Sequence, residues 1–340
     1  VNSCGAALFL ALRAAGVRPG DPVRMNAFTL GPVPGALDHV GARPVLVEIT
    51  PDLTIDLDDL RAKAKASGAR VLMLSHMRGH LCDLRALVAL CCDLGVSVIE
   101  DCAHTLGASW DGQQAGTFGL AGCFSFQSGK HVNTGEGGVL VTDDPDIAAQ
   151  AILHSGSYML YGQNGTVPPA EVMERWRGRC GNYSLRMSEL VAALALPQLP
   201  LLGERVADWN ASHDHIAARL AQADGFVLPH RPKAESYAQS SLQFRLPGWP
   251  LEQMRAFVQA ARAAGVWVKW FGSELPEGYS SNPAQWHGAH AEEVPLACQL
   301  QATLCDIRLP LGLGHEECDA IADTLIATAS ATRKALHAPA

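Results

Sequence analysis

Val98-Ile99-Glu100-Asp101-Cys102-Ala103-His104 opens the segment on which the reading of this chain turns. Gly116-Thr117-Phe118-Gly119, Phe124-Ser125-Phe126-Gln127-Ser128-Gly129-Lys130 and Gly135-Glu136-Gly137-Gly138-Val139-Leu140-Val141-Thr142 follow it. The pattern predicts a strand with an acidic end, a turn, a short strand whose polar end carries one lysine, a glycine turn and a closing strand. Asp101 follows the apolar run 96–99, so its carboxylate is expected at a strand's C-terminal end. Lys130 stands in the same relation to the run 121–126. In an open α/β sheet, ligands gather where strands end. An acid and an amine at two such ends can grip one small cofactor. Pyridoxal phosphate needs that pair: an amine to bond its aldehyde and a carboxylate to keep its pyridine nitrogen protonated.

Around this segment, helix and strand patterns alternate. Helices are expected near 5–15, 33–40, 57–65, 84–94 and 146–154, and strands near 22–25, 44–48 and 71–75. Such alternation implies a mostly parallel sheet covered on both faces. A helical stretch begins at Met187, and Pro197 and Pro200 are expected to interrupt it. The boundary is placed there, giving a cofactor-binding domain at 1–196 and a small α+β domain at 197–340. In the second part the patterns predict helices at 209–221 and 251–264, strands at 242–246 and 266–270, and a last helix from His315. The segment 156–169, polar and bearing glycine and proline, is expected to be an ordered loop near the site.

The quoted motifs resemble those of the DegT/DnrJ/EryC1/StrS family of pyridoxal-phosphate sugar aminotransferases. Its usual pattern is Glu-Asp-Ala-Ala-Gln/His, then Gly, then Ser-Phe-x-x-x-Lys, then Gly-Glu-Gly-Gly. The likeness runs from Asn2 to the last helix and is strongest between Ile99 and Thr142. It implies a fold-type I transferase, an α/β architecture with a mostly parallel sheet flanked by helices and a smaller C-terminal α+β domain. It also implies a homodimer with composite active sites, and an N-terminal helical arm preceding Val1.

The resemblance assigns roles residue by residue. Lys130 would hold the cofactor covalently and shuttle the proton of the reaction. Relatives that remove a hydroxyl carry histidine at that position, so the lysine points to amino transfer. Asp101 would pair with the pyridine nitrogen; a helix cap is the plainer use of such an aspartate. His104 would lie near the cofactor's 3′-oxygen, with a satisfied core histidine as its competitor. Ser125 would donate to the phosphate, together with the amides of Gly5 and Ala6, where Cys4-Gly5-Ala6 replaces the family's Gly-Thr-x-Ala-Leu at the start of the first helix. The residue stacking on the pyridine ring is Leu30 or Phe28. Asn182, in Gly-Asn-Tyr-Ser-Leu-Arg-Met, would reach the neighbouring subunit's phosphate. The extra pair Ser184-Leu185 leaves Tyr183 and Arg186 as alternatives. The implied activity moves an amine from an amino acid, glutamate or glutamine, to a ketone on a sugar or cyclitol. Substrate choice would reside in the segments 157–169 and 270–290. The rival is a non-catalytic relative acting as a sensor or partner protein.

Composition bounds what else the chain can be. With 340 residues, 48% hydrophobic and 18% charged, it can bury a sizeable core. A net charge of −8 and the lack of a Lys/Arg cluster argue against a nucleic-acid partner. The most apolar run, 190–202, is short and broken by two prolines, so no membrane span and a cytoplasmic location are expected. The ten cysteines are scattered, without Cys-x-x-Cys, and read as buried reduced thiols, with Cys91 and Cys92 in an apolar helix. His76 and His80 have the spacing of a helical metal pair but follow a strand beside Gly79, so no metal site is expected. Gly135, Gly137 and Gly138 lack the strand-to-helix setting of a dinucleotide fingerprint and read as a tight turn.

Overall fold

The computed structural model describes residues 1–157, 167–275 and 281–337. In chain order its helices are α1 (Cys4–Ala14), α2 (Pro32–Val40), α3 (Leu57–Ser67), α4 (Leu84–Asp93), α5 (Pro145–Ser155), α6 (Ala170–Trp176), α7 (Glu189–Ala195), α8 (Leu202–Leu220), α9 (Leu251–Ala263), α10 (Pro295–Gln301) and α11 (His315–His337). The strands are β1 (Pro22–Asn26), β2 (Arg43–Val47), β3 (Val71–Ser75), β4 (Ser97–Asp101), β5 (Ser109–Trp110), β6 (Gln113–Gln114), β7 (Ala121–Ser125), β8 (Gly138–Val141), β9 (Glu235–Ser236), β10 (Ser241–Arg245), β11 (Val268–Trp270) and β12 (Leu304–Arg308).

Six strands form one sheet in the order β2-β1-β3-β4-β7-β8. All neighbours run parallel except β7 and β8, which pair antiparallel at one edge. β3 and β7 are buried along their whole length. Their apolar side chains therefore face helices on both sides, as a parallel sheet requires. The chain leaves β1 once toward β2 and later toward β3, so the order reverses at β1, and the strand ends beside that point are where a cleft forms. The register Ser75↔Asp101 and Asp101↔Cys123 aligns the ends of β3, β4 and β7 in one row.

A second, antiparallel sheet has the order β10-β12-β11. It packs with α8, α9 and α11 around a separate core of Trp209, Leu242, Phe244, Phe257 and Ile307. The helices and strands expected from the sequence are present within a few residues of their predicted ends, except that the helix expected at 209–221 already starts at Leu202. α6, α10, β12 and the two-residue strands β5, β6 and β9 were not foreseen. Of the loop expected at 156–169, residues 158–166 lie outside the described residues, as do 276–280 of the second substrate segment.

Pro197 and Pro200 do interrupt the helix after α7. The run continues as a 3-10 turn, Leu196–Leu201, and passes directly into α8. Residues 189–220 thus form one continuous helical stretch, long and apolar enough by length and composition to cross a membrane, contrary to the expectation from its prolines. Its far end packs on the second core through Trp209, Ile216 and Leu220. The near end leaves Leu190, Leu194, Leu196, Leu199 and Leu201 exposed, Leu190 by 73%. The cysteines are all free. Cys91 is core, but Cys92 points outward from α4, because consecutive helical residues face different sides.

Candidate active site

The ends of β3, β4 and β7, the start of α1, the loop from β1 to α2 and one wall of the second sheet enclose a cleft of about 470 Å³. Asp101, His104, Ser125, Gly5 and Lys130 all line it.

Lys130 follows β7 through a turn closed by its own amide on the Gln127 carbonyl (3.1 Å). Gly129, at φ +81°, makes that turn possible. Lys130 Nζ lies 2.8 Å from His104 Nε2. Burial pushes the amine down to about 7, helped by the guanidiniums of Arg308 and Arg78 and opposed by Asp101. His104 is also held well below the ordinary histidine range, by burial first and then by Lys130. Near neutrality the contact therefore joins an uncharged imidazole to an amine that is divided between its charged and uncharged forms. The uncharged amine is a nucleophile.

Asp101 is the last residue of β4. Its Oδ2 accepts a hydrogen bond from Ser75 Oγ (2.7 Å), which in turn accepts one from Thr29 Oγ1 (2.7 Å). Asn26 clamps this chain: its side chain accepts from Ser75 N–H at 2.8 Å and donates to the carbonyls of Ser75 and Phe28. Oδ1 accepts from the Ala103 amide (3.2 Å), and the Cys4 thiol lies 3.9 Å away. Burial, then Asp101, raises the Cys4 thiol well above its usual range, so it stays protonated and donates. The aspartate does accept a local cap-like bond. It also sits in a web that a simple helix cap would not need.

At the other end of the cleft, Ser3 caps α1 by accepting the Ala6 amide at 3.1 Å. Ala6 N–H is thereby engaged, which corrects the expectation that it is open to a ligand. Among the described residues, no partner is found for Gly5 N–H. Gly138 lets β8 come against this helix start: a Cβ there would stand 2.4 Å from the Ser3 carbonyl carbon. Ser125 is buried, and its hydroxyl accepts the Gln127 amide at 3.3 Å.

Of the two candidates for the ring, Leu30 lines the cleft. Phe28 is fully buried, edge-on against Phe271 at 5.1 Å. Asn182 is not part of this chain's cleft. It is exposed, and its side chain caps the Ser184 amide at 2.9 Å, with Ser184 at φ +54°. Tyr183 packs on Phe9 and His154, and Arg186 holds the Gly156 carbonyl. His76 and His80 diverge, the first to Glu100 (3.0 Å) and the second to Gln243 (2.8 Å). His76, Glu100 and Cys102 do approach one another. The Glu100 carboxylate, however, is taken up by the amides of Gly116, Phe118 and Gly119 as well as by His76.

The sequence reading missed the opposite wall. Arg78, Trp267, Lys269, Asp306 and Arg308 line it. Arg78 lies at φ +57°, a left-handed conformation rare outside glycine, and its guanidinium pairs with buried Asp306 at 2.8 Å. Ser75 and Thr29 were also missed, although Ser75 ends an apolar run just as Asp101 does.

The sequence model of the DegT/DnrJ/EryC1/StrS aminotransferase family matches residues 1–326. The chain is 34% identical over 249 residues to L-glutamine:scyllo-inosose aminotransferase of Streptomyces griseus, covering 73% of this chain and 58% of that protein. It is 33% identical over 240 residues to spore coat polysaccharide biosynthesis protein SpsC of Bacillus subtilis (strain 168), covering 67% of this chain and 59% of the other. The chain therefore spans less than two thirds of either relative. Among solved structures, 3-amino-5-hydroxybenzoic acid (AHBA) synthase superposes with a TM-score of 0.82 at 25% identity, covering 97% of this chain and 86% of the other.

Proposed function

Because the chain belongs to the DegT/DnrJ/EryC1/StrS aminotransferase family, we propose that it moves an amino group from glutamate or glutamine to a ketone on a cyclitol or sugar, using pyridoxal 5′-phosphate. The observation that carries the reading is the meeting of Lys130 and Asp101 in one cleft, with the lysine lowered to about 7. The residues fit the cofactor: a nucleophilic amine, a carboxylate with an open side toward the cleft, and a helix start with an unengaged amide and nearby hydroxyls. When bound, the cofactor supplies the aldehyde that takes up the amine and the ring that accepts the electron pair from the donor's α-carbon.

The chain's own groups do the rest. Lys130 Nζ, lowered to about 7, would hold the cofactor through its uncharged form and would carry the proton to and from the donor's α-carbon. His104 orients that nitrogen. Asp101 holds the pyridine nitrogen's proton, and Ser75 and Cys4 keep its carboxylate turned toward the cleft. Gly5 N–H and the Ser3 and Ser125 hydroxyls would receive the phosphate. Leu30, which lines the cleft, would cover the ring.

A second copy of the chain is part of this reading. α7 and the following turn leave leucines exposed, as is Asn182, and a partner subunit covering those leucines would bring its own Asn182 to this cleft. The change of helix type at Leu196–Leu201 is taken as the junction of domains 1–196 and 197–340. Ten free thiols support the cytoplasm as the compartment. The test is reconstitution with pyridoxal phosphate followed by glutamate or glutamine. A visible cofactor band bleached by the amino donor, and restored by an inosose or keto-sugar, is expected. Absence of the band defeats the proposal.

A further inference from the structure

The wall contributed by the second sheet takes no part in holding the cofactor or moving the proton. β12 alternates: Cys305 and Ile307 enter the second core, while Asp306 and Arg308 turn to the cleft side. Both oxygens of Asp306 are already engaged. Oδ2 pairs with Arg78 at 2.8 Å, and Oδ1 accepts from Gln243 Nε2 at 2.7 Å, a side chain itself held by His80 and Ser241. Arg308 is different. It is exposed to the cleft, and its guanidinium donates to the Gly129 carbonyl, the residue just before Lys130. Among the described residues no carboxylate forms an ion pair with it. Surrounding protein and nearby Arg78 push Arg308 down to about 10, so a bound anion would relieve it.

From this geometry we propose that Arg308 receives a carboxylate of the amino donor, with Arg78 fixed behind it by Asp306. This rests on the aminotransferase reading and adds what that reading lacks, a residue that recognises an amino acid. A guanidinium offers two parallel N–H donors that match a carboxylate, and this one stands on a strand and bonds the residue just before the reacting lysine. One bond to Gly129 leaves other donors of the fork open toward the cleft. Arg78 cannot take the same task, because its charge is already answered by Asp306.

The probe is succinate, a dicarboxylate without an amine, titrated calorimetrically into the cofactor-loaded and cofactor-free protein. Wild type should bind it. Arg308→Gln should bind it about 10- to 100-fold more weakly, the range expected for losing a charge-assisted hydrogen bond. Arg308→Lys should fall between, having charge without the fork. In turnover, Arg308→Gln should raise the KM for glutamate by a similar factor while changing kcat much less. Equal succinate affinity in wild type and Arg308→Gln overturns the proposal, and so does failure of wild type to bind succinate. A fall in kcat at unchanged KM also overturns it, because Arg308 would then only support the Lys130 loop. If wild type takes up no cofactor, the aminotransferase reading falls, while the cofactor-free titration still decides the role of Arg308.

Discussion

On one side of the cleft stand the ends of β3, β4 and β7, parallel strands buried on both faces; on the other stands β12, an antiparallel strand with one face in a core and one in the cleft. On the parallel side a functional group can appear only where an apolar run stops, so Ser75, Asp101 and Lys130 each follow such a run. On the antiparallel side polar groups alternate with apolar ones inside the strand itself, as Asp306 and Arg308 do around Ile307. The first side offers the groups suited to gripping a cofactor. The second offers charge suited to choosing what reacts with it.

The division is open to a decisive break at Lys130. Lys130→Ala should abolish covalent attachment of pyridoxal phosphate while leaving weaker, non-covalent binding through the phosphate contacts. Borohydride reduction of the wild-type complex and peptide mapping should find the adduct on Lys130. An adduct on Lys269 would move the chemistry to the antiparallel wall and end the comparison.

Next in size is Asp101→Asn. The amide is nearly isosteric, so fold and attachment should survive, but the charge facing the pyridine nitrogen is lost. Donor conversion in a single turnover should slow by about 10²–10⁴-fold, roughly 3–5 kcal/mol at 1.36 kcal/mol per tenfold. Conversion at the wild-type rate would reduce Asp101 to a cap for the Ala103 turn.

The same contrast explains what the sequence made legible. The parallel sheet and the places of Lys130, Asp101, His104 and Ser125 could be read because apolar runs and their polar ends are contiguous in the chain. Arg308 could not, since β12 is only five residues long and its alternation is too brief to stand out. Arg78 was hidden for another reason: its side chain reaches the cleft through a positive φ that the preceding strand pattern does not announce. Leu30 and Phe28 are told apart only by tertiary packing, where Phe271, from the far end of the chain, holds Phe28 in the core while Leu30 lines the cleft. The break at Pro197 and Pro200 was legible, whereas the direct passage into α8 was not, because a 3-10 turn accommodates what an α-helix does not.

A smaller effect is expected at the apolar face. Leu194→Glu sets a charge among Leu190, Leu196 and Leu199, which should dissociate a dimer and weaken cofactor affinity by about tenfold or more through loss of the partner's contacts. Sedimentation velocity with a cofactor titration measures both. A wild-type monomer with full activity would confine the whole parallel-side site to one chain.

The pH profile sharpens the comparison further, because it couples the two walls. Lys130 attacks only when neutral, and it is lowered to about 7, with Arg308 and Arg78 contributing after burial. Capture of pyridoxal phosphate by the cofactor-free protein should fall about tenfold per pH unit below that value and level off above it. Removing a positive charge, as in Arg308→Gln, stabilises the ammonium form, so its midpoint must move to higher pH. Stopped-flow capture rates across pH measure it, and a midpoint that stays put, or moves down, would uncouple the walls.

The finest test lies within the parallel side, at Ser75. Its hydroxyl donates to Asp101 Oδ2 and accepts from Thr29, while its backbone is clamped by Asn26. Ser75→Ala removes one donor from Asp101 and leaves the Thr29 hydroxyl without its acceptor, yet it changes no charge. Ala103 N–H and the Cys4 thiol still contact Oδ1. The carboxylate should therefore stay in the cleft but turn more freely, and the loss should be that of one hydrogen bond to a charged group, about 1.5–3 kcal/mol at most and less where water takes its place. Donor conversion should slow by about ten- to a hundredfold, well short of Asp101→Asn, with the KM for the donor little changed. Ser75→Thr, which keeps the hydroxyl, should recover most of the rate if β3 accommodates the methyl group. The discriminating readout is the proton equilibrium of the bound cofactor's pyridine nitrogen, followed by nitrogen NMR. Ser75→Ala should shift it toward the unprotonated form, because an acceptor that wanders holds a proton less well. If the rate falls with that equilibrium unmoved, Ser75 serves packing alone, and the row of strand ends grips the cofactor through Asp101 without help from its neighbour.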